Sequence, residues 1–175
     1  MEVAKAIELR HSRRVFDSKP IEWEKILALL DAARLAPSAV NWQPWHFVVV
    51  QDEKNRKAIV SAGQVFNKWM AAAPVLIVAC AKESHYSKID LGLSIENVLI
   101  RATDLGLSGT PTAIGNKEKI SELINCPKGF SPLITIALGY APEKKTLTER
   151  VVKKLMKKKK PIEEIASKEK FGVWL

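Results

Sequence analysis

The sequence predicts a sheet covered by helices, in the α/β or α+β class. Three apolar runs predict buried strands, at His46–Val50, Val75–Ala81 and Leu133–Leu138. Amphipathic helical segments alternate with them, the longest at Asp90–Leu105. Neither a G-x-G-x-x-G nor a G-x-x-x-x-G-K-[ST] stretch occurs, which argues against a Rossmann dinucleotide site and a P-loop.

Each element has its own signal. Val3, Ala6, Ile7 and Leu9 predict a short helix over Glu2–Arg10. The basic run Arg10-His11-Ser12-Arg13-Arg14 follows as a turn. Trp23, Ile26, Leu27, Leu30 and Ala33 form an apolar stripe that predicts a helix over Glu22–Leu35. Pro37 ends it, because the residue before a proline is driven out of helical geometry. The connection Pro37–Trp45 leads into the first strand, whose unbroken apolar run predicts a central position. Helices are expected at Asp52–Ala62 and Lys68–Ala73, with Pro74 opening the second strand. Leu91, Ile95, Val98, Leu99, Ala102 and Leu105 stripe the longest helix, and Gly106 stops it. A loop of small residues is expected over Ser108–Gly115, then a helix at Lys117–Ile124 and the third strand. A further helix is expected at Glu149–Met156.

The chain has 175 residues, 47% of them hydrophobic and 27% charged, which suits one globular domain over 1–175. No apolar run reaches the roughly 20 residues that span a bilayer, and Met1–Arg14 lacks the apolar core of a secretory signal. The two cysteines, Cys80 and Cys126, form no C-x-x-C pair. These features predict a cytoplasmic protein with no membrane partner. The net charge of +9 is concentrated from about residue 144 onward, around Lys157–Lys160. A local basic segment does not make a basic face, so nucleic acid is not expected as a partner.

Three stretches can carry chemistry. The guanidinium groups, hydroxyl and turn amides of Arg10–Arg14 suit a phosphate, although a solvated basic turn has the same composition. Ser38, Asn41 and Gln43 suit the polar edge of a heterocycle, while Trp42 and Trp45 suit core or a subunit interface. The small residues of Ser108–Gly115 would let backbone approach a flat ligand, or simply connect a helix to a strand. His11, His46 and His85 show no metal-ligand spacing, and no residue stands out as a catalytic acid, base or nucleophile. Any chemistry would therefore belong to a bound cofactor.

Three motifs together, Arg10-His11-Ser12-x-Arg14, Pro37-Ser38-x-x-Asn41-x-Gln43-Pro44-Trp45-His46-Phe47 and Val65-Phe66-Asn67, resemble the nitroreductase family of FMN enzymes. Asn97-Val98-Leu99, Leu105-Gly106-Leu107 and Leu138-Gly139-Tyr140 follow in that family's order. The resemblance runs from about Ala4 to Ile165. It implies an α+β fold with a mainly antiparallel central sheet flanked by helices, in an intertwined homodimer with two FMN at its interface. Arg10, His11, Ser12 and Arg14 would hold the FMN phosphate and ribityl chain. Pro37, Ser38, Ala39 and Asn41 would reach the flavin of the other subunit. Asn67 would contact the ring edge, and Pro111, Thr112, Ala113 and Ile114 would line one side of the ring through backbone groups. Lys157 and Lys159 would return to the phosphate.

The implied activity is ping-pong hydride transfer from NADH or NADPH to quinones, nitroaromatics or flavins as small-molecule acceptors. A reductive-dehalogenase-like member, or a flavin- or nucleic-acid-binding module without turnover, are the alternatives. The chain departs from the family in three places. Lys159 stands where arginine is frequent, Ala113 where some members carry glutamate, and Lys82–Ile89 replaces a longer helical excursion over the active site.

Overall fold

The computed structural model describes residues 1–63, 65–142 and 159–173. The chain divides into two compact units, Met1–Lys144 and Lys145–Leu175. The first unit holds a four-stranded sheet, β1 (Trp45–Val50), β2 (Val75–Lys82), β3 (Leu107–Ala113) and β4 (Phe130–Tyr140), in the order β1-β2-β4-β3. Every neighbouring pair is antiparallel, which resolves the fold class as α+β. The helices are α1 (Val3–Leu9), α2 (Trp23–Arg34), α3 (Glu53–Ala62), α4 (Ser87–Asp104) and α5 (Lys117–Leu123). Shorter 3-10 turns lie at Ala39–Asn41 and Val65–Ala72.

The period of two along β2 builds both cores. Val75, Ile77, Ala79 and Ala81 face one core, with Ile26, Leu29 and Ala33 of α2 and Leu91, Ile95, Val98, Leu99 and Ala102 of α4. Leu76, Val78 and Cys80 face the other, with Ile59 and Val60 of α3, Met70 and Ile120 of α5. Helices thus cover the sheet on both faces. Asp52 caps α3 by accepting the Asn55 amide at 2.8 Å, and Asn116 caps α5 by accepting the Lys119 amide at 2.9 Å. The β2–β4 register shifts between Ala79 and Cys80, where the partner is Pro132. Proline has no amide hydrogen to give the ladder.

Three expectations need correction. β1 is an edge strand, not a central one, and most of its residues are only half-buried. The α2 stripe is rotated: Ile26, Leu29 and Ala33 are buried, while Trp23 and Leu27 are 49% and 48% exposed. The stretch expected as a loop at Ser108–Gly115 is largely β3, because its backbone pairs with β4 from Leu107↔Tyr140 to Ala113↔Ile134. Gly109 has a packing role there, since an added Cβ would lie 2.7 Å from Leu99 Cδ2. The stop at Gly106 holds, with φ +75°.

In the second unit, Ile162–Glu164 forms a 3-10 turn, and the Gly172 amide donates to Ser167 Oγ at 3.0 Å. The helix expected at Glu149–Met156 lies outside the described residues. Among the described residues, no helix is long and apolar enough to cross a membrane.

Candidate functional site

The basic turn 10–14 follows directly from α1. The Arg10 amide closes that helix on the Ala6 carbonyl at 2.9 Å. Arg10 Nε lies 3.7 Å from Glu96 on α4, a loose pairing that leaves most of its donors for another anion. His11 Nδ1 donates to the Leu9 carbonyl at 2.8 Å. Thr110 Oγ1 donates to the Arg13 carbonyl at 2.6 Å and ties the turn to β3. The Arg14 guanidinium lies 5.9 Å from the ring centroid of Trp69, in the 65–72 turn. Phe16 continues this packing, its ring 6.3 Å from that of Trp69.

Asn67 lies in the same 65–72 turn. It shares a crevice with Thr112, Ala113 and Ile114, between the end of β3 and α3. Pro111 precedes them on β3, pairing with Ile136. The structure therefore brings the Arg13–Arg14 end of the basic turn against β3 and the 65–72 turn, and Asn67 into one crevice with Thr112–Ile114, while Arg10 reaches Glu96 on α4. The Arg14 guanidinium and the Asn67 amide thus stand near the end of the β3 backbone. That donor set fits a phosphorylated ligand carrying a flat, polar-edged ring.

Pro37, Ser38, Ala39 and Asn41 are placed elsewhere, between α2 and β1. This connection holds three non-glycine residues at positive φ: Val40 at 46°, Asn41 at 57° and Gln43 at 50°. Such geometry is uncommon, above all for a β-branched residue. Ser38 Oγ accepts the Gln43 amide at 2.9 Å, and the Asn41 amide donates to the Ser38 carbonyl at 3.0 Å. Trp42 is half exposed, whereas Trp45 packs against the core.

Sequence reasoning missed the residues of α4 that hold this connection. Ser94 Oγ donates to the Ala33 carbonyl at 2.8 Å, and Asn97 Nδ2 donates to the Ala32 carbonyl at 3.1 Å. Asp90 Oδ1 accepts the Ala39 amide at 3.2 Å. The available signal was polar residues at helical spacing next to an apolar stripe. Lys159 precedes Pro161 and the 162–164 turn, in the second unit; Lys157 lies outside the described residues.

The buried Cys80 thiol offers no nucleophile. Burial, then the neighbouring Cys126, pushes the Cys80 thiol up to about 12. Neither cysteine is bridged. Among the described residues, no cluster of His, Cys, Asp and Glu could hold a metal ion.

One antiparallel sheet of this order between two helical layers defines an α+β class of domain, and known proteins specify it. Residues 7–62 and 53–140 match the model of the Nitroreductase family. A protein of Archaeoglobus fulgidus, provisionally named NADH dehydrogenase/NAD(P)H nitroreductase, is 34% identical over 158 residues, covering 85% of this chain and 90% of its own. The FMN reductase [NAD(P)H] of Bacillus subtilis is 27% identical over 177 residues, covering 86% and 70%. A crystal structure from Bacteroides thetaiotaomicron, under the same provisional name as the Archaeoglobus protein, is 27% identical, covers 97% of this chain and 98% of its own, and matches with a TM-score of 0.82. This chain belongs to the nitroreductase family.

Proposed function

We propose that this chain is an NAD(P)H-dependent FMN oxidoreductase that works as a cytoplasmic homodimer and reduces quinones, nitroaromatics or flavins by a ping-pong mechanism. The enzyme class and both cofactors accord with its family and with relatives named FMN reductase and NAD(P)H nitroreductase. The observation that supports the reading is the Arg13–Arg14 end of the basic turn lying against β3 and the 65–72 turn, whose Asn67 shares a crevice with Thr112–Ile114. When bound, FMN supplies the two-electron chemistry, taking up reducing equivalents from the nicotinamide and passing them to the acceptor.

The residues of the chain bind and orient. Arg10 and Arg14, with His11 and Ser12, would hold the phosphate and ribityl chain by charge-assisted hydrogen bonds. Asn67 offers an amide to the ring edge, and Pro111–Ile114 offer backbone. Lys157 and Lys159 add charge for the phosphate. Pro37, Ser38, Ala39 and Asn41 would complete the site of the partner protomer.

The homodimer is supported by apolar side chains left exposed on neighbouring elements. α1 and α2 both pack against α4. Val3, Ile7 and Leu9 of α1, Trp23 and Leu27 of α2, and Ile89 and Leu93 of α4 are exposed, as are Val40 and Trp42. An apolar patch of this kind marks an interaction surface. The link between β2 and α4 is short, from Lys82 to Ser87, which favours an open site and a broad choice of flat acceptors.

The test is direct. The purified chain, loaded with FMN, should be yellow, bleach anaerobically with NADH or NADPH, and recolour when menadione is added. A chain that stays colourless in excess FMN, or a flavin that neither nicotinamide bleaches, defeats the proposal.

A further inference from the structure

The 38–43 turn is strained and stays so without help from burial of its own apolar side chain. Val40 has φ 46° and is 99% exposed. A β-branched residue held there is stabilised by its surroundings, and such strain collects at functional sites. Most bonds of the turn are internal. Ser38 Oγ accepts the Gln43 amide, Asn41 and Trp42 amides close on Ser38 and Ala39 carbonyls at 3.0 Å, and Gln43 Nε2 donates to the Asn41 carbonyl at 3.2 Å. These fix the shape of the turn but not its place in the fold.

Its place is set from α4. Ser87, Asp90, Ser94 and Asn97 are spaced by three and four residues and share one helix face. Ser94 and Asn97 bind carbonyls in the last turn of α2, where helix carbonyls lack partners within the helix. Asp90 then binds the Ala39 amide beyond the end of that helix. Three polar side chains on one helix thus anchor the α2 end and the turn after it in sequence.

Asp90 is more than an amide acceptor requires. Its side chain is only 4% exposed, and its Oδ2 is buried without a hydrogen-bond partner among the described residues. A serine or asparagine oxygen would accept one amide without the desolvation cost of a carboxylate. An unsatisfied buried carboxylate oxygen calls for an explanation, and function is one of few. The position, beside a strained turn that presents Ser38 and Asn41, supplies it.

We infer that Asp90 is a positioning residue of the flavin site: its buried carboxylate, by accepting the Ala39 amide, holds the strained 38–43 turn in the form that meets the isoalloxazine ring. The inference rests on the proposed FMN function. Asp90 acts through the turn and is not itself a catalytic residue.

The test compares Asp90→Ala with Asp90→Asn by amide hydrogen exchange in the FMN-free chain and by FMN fluorescence quenching. Asp90→Ala should speed exchange at Ala39–Gln43 by about tenfold or more, with β2 and β4 amides unchanged. It should weaken FMN binding by about ten- to a hundredfold, the loss expected for one hydrogen bond to a charged group. Asp90→Asn keeps an oxygen for the Ala39 amide but loses the charge, so it should recover both readouts in part and leave FMN binding about three- to tenfold weaker than wild type. Unchanged exchange at 39–43 in Asp90→Ala, with wild type binding FMN normally, overturns the inference alone. Uniformly faster exchange across the sheet in both variants also overturns it, because Asp90 would then serve general stability. A wild-type chain that binds no FMN overturns the proposed function, and the inference about the flavin falls with it.

Discussion

At the scale of single residues, charge and hydrogen bonding decide most outcomes. Arg10 and Arg14 are held by weak contacts, a 3.7 Å ion pair to Glu96 and a 5.9 Å approach to the Trp69 ring. Neither contact is a reason for the fold to need them. Arg10→Ala combined with Arg14→Ala should therefore leave far-UV circular dichroism unchanged. The loss of two charge-assisted bonds, about 1.5–3 kcal/mol each, should weaken FMN by about two to four powers of ten. A double variant with wild-type flavin affinity by fluorescence quenching would remove these residues from the phosphate. A second case is Glu22 beside Tyr140. The Tyr140 hydroxyl donates to Glu22 and accepts from Lys25 Nζ at 2.6 Å. That hydroxyl, followed by Glu22's own backbone, lowers the Glu22 carboxyl from 4.5 to about 2. A lowered folded-state value stabilises the fold above the unfolded value. The contribution is fully present above pH 4.5 and fades as pH falls through about 2. Tyr140→Phe should move the Glu22 carboxyl titration, followed by NMR, back up towards 4.5. An unmoved midpoint would assign the shift to something other than the phenol.

At the scale of elements, local pattern and distant pairing compete. The α4 stripe was legible because its apolar residues recur at helical spacing and all meet the sheet. β2 and the core of β4 were legible as buried runs. β1 misled because Phe47–Val50 is as apolar as a central strand, though it sits at the sheet edge. β3 was hidden because Ser108, Gly109 and Pro111 are turn formers, and only the ladder with β4 makes the stretch a strand. In the site, the basic turn was legible from charge. Asp90 and Ser94 were not, because their partners at Ala39 and Ala33 lie far away in sequence. Gly139 shows how close packing constrains such elements. A Cβ there would lie 2.8 Å from both Phe16 Cδ1 and Pro74 Cδ. Gly139→Ala should cost about 1–3 kcal/mol through overpacking. Urea unfolding should show a lower midpoint with an unchanged slope, and an unshifted midpoint would mean that Phe16 or Pro74 moves aside freely.

At the scale of the whole molecule, the two halves of the proposed site do not share one side of α4. Arg10 pairs with Glu96, and Ala39 with Asp90. Those two α4 residues are six apart, so they lie roughly 9 Å apart along the axis and about 120° apart around it. On the proposed function, one protomer would present two separated half-sites, and a second copy seated on the exposed apolar side chains of α1, α2 and α4 would join them. If FMN needs residues from both copies, the flavin and the dimer stabilise each other by linkage. With two sites that exist only in the dimer, FMN at a hundred times its dissociation constant should tighten the dimer by about four powers of ten. Sedimentation velocity across a dilution series, with and without FMN, measures that shift. Trp23→Glu, which puts a charge on the exposed apolar face of α2, should weaken the dimer and FMN together while the monomer keeps its helical signal. Dimer affinity indifferent to FMN, or a flavin-loaded monomer in light scattering, would show that one protomer builds the whole site.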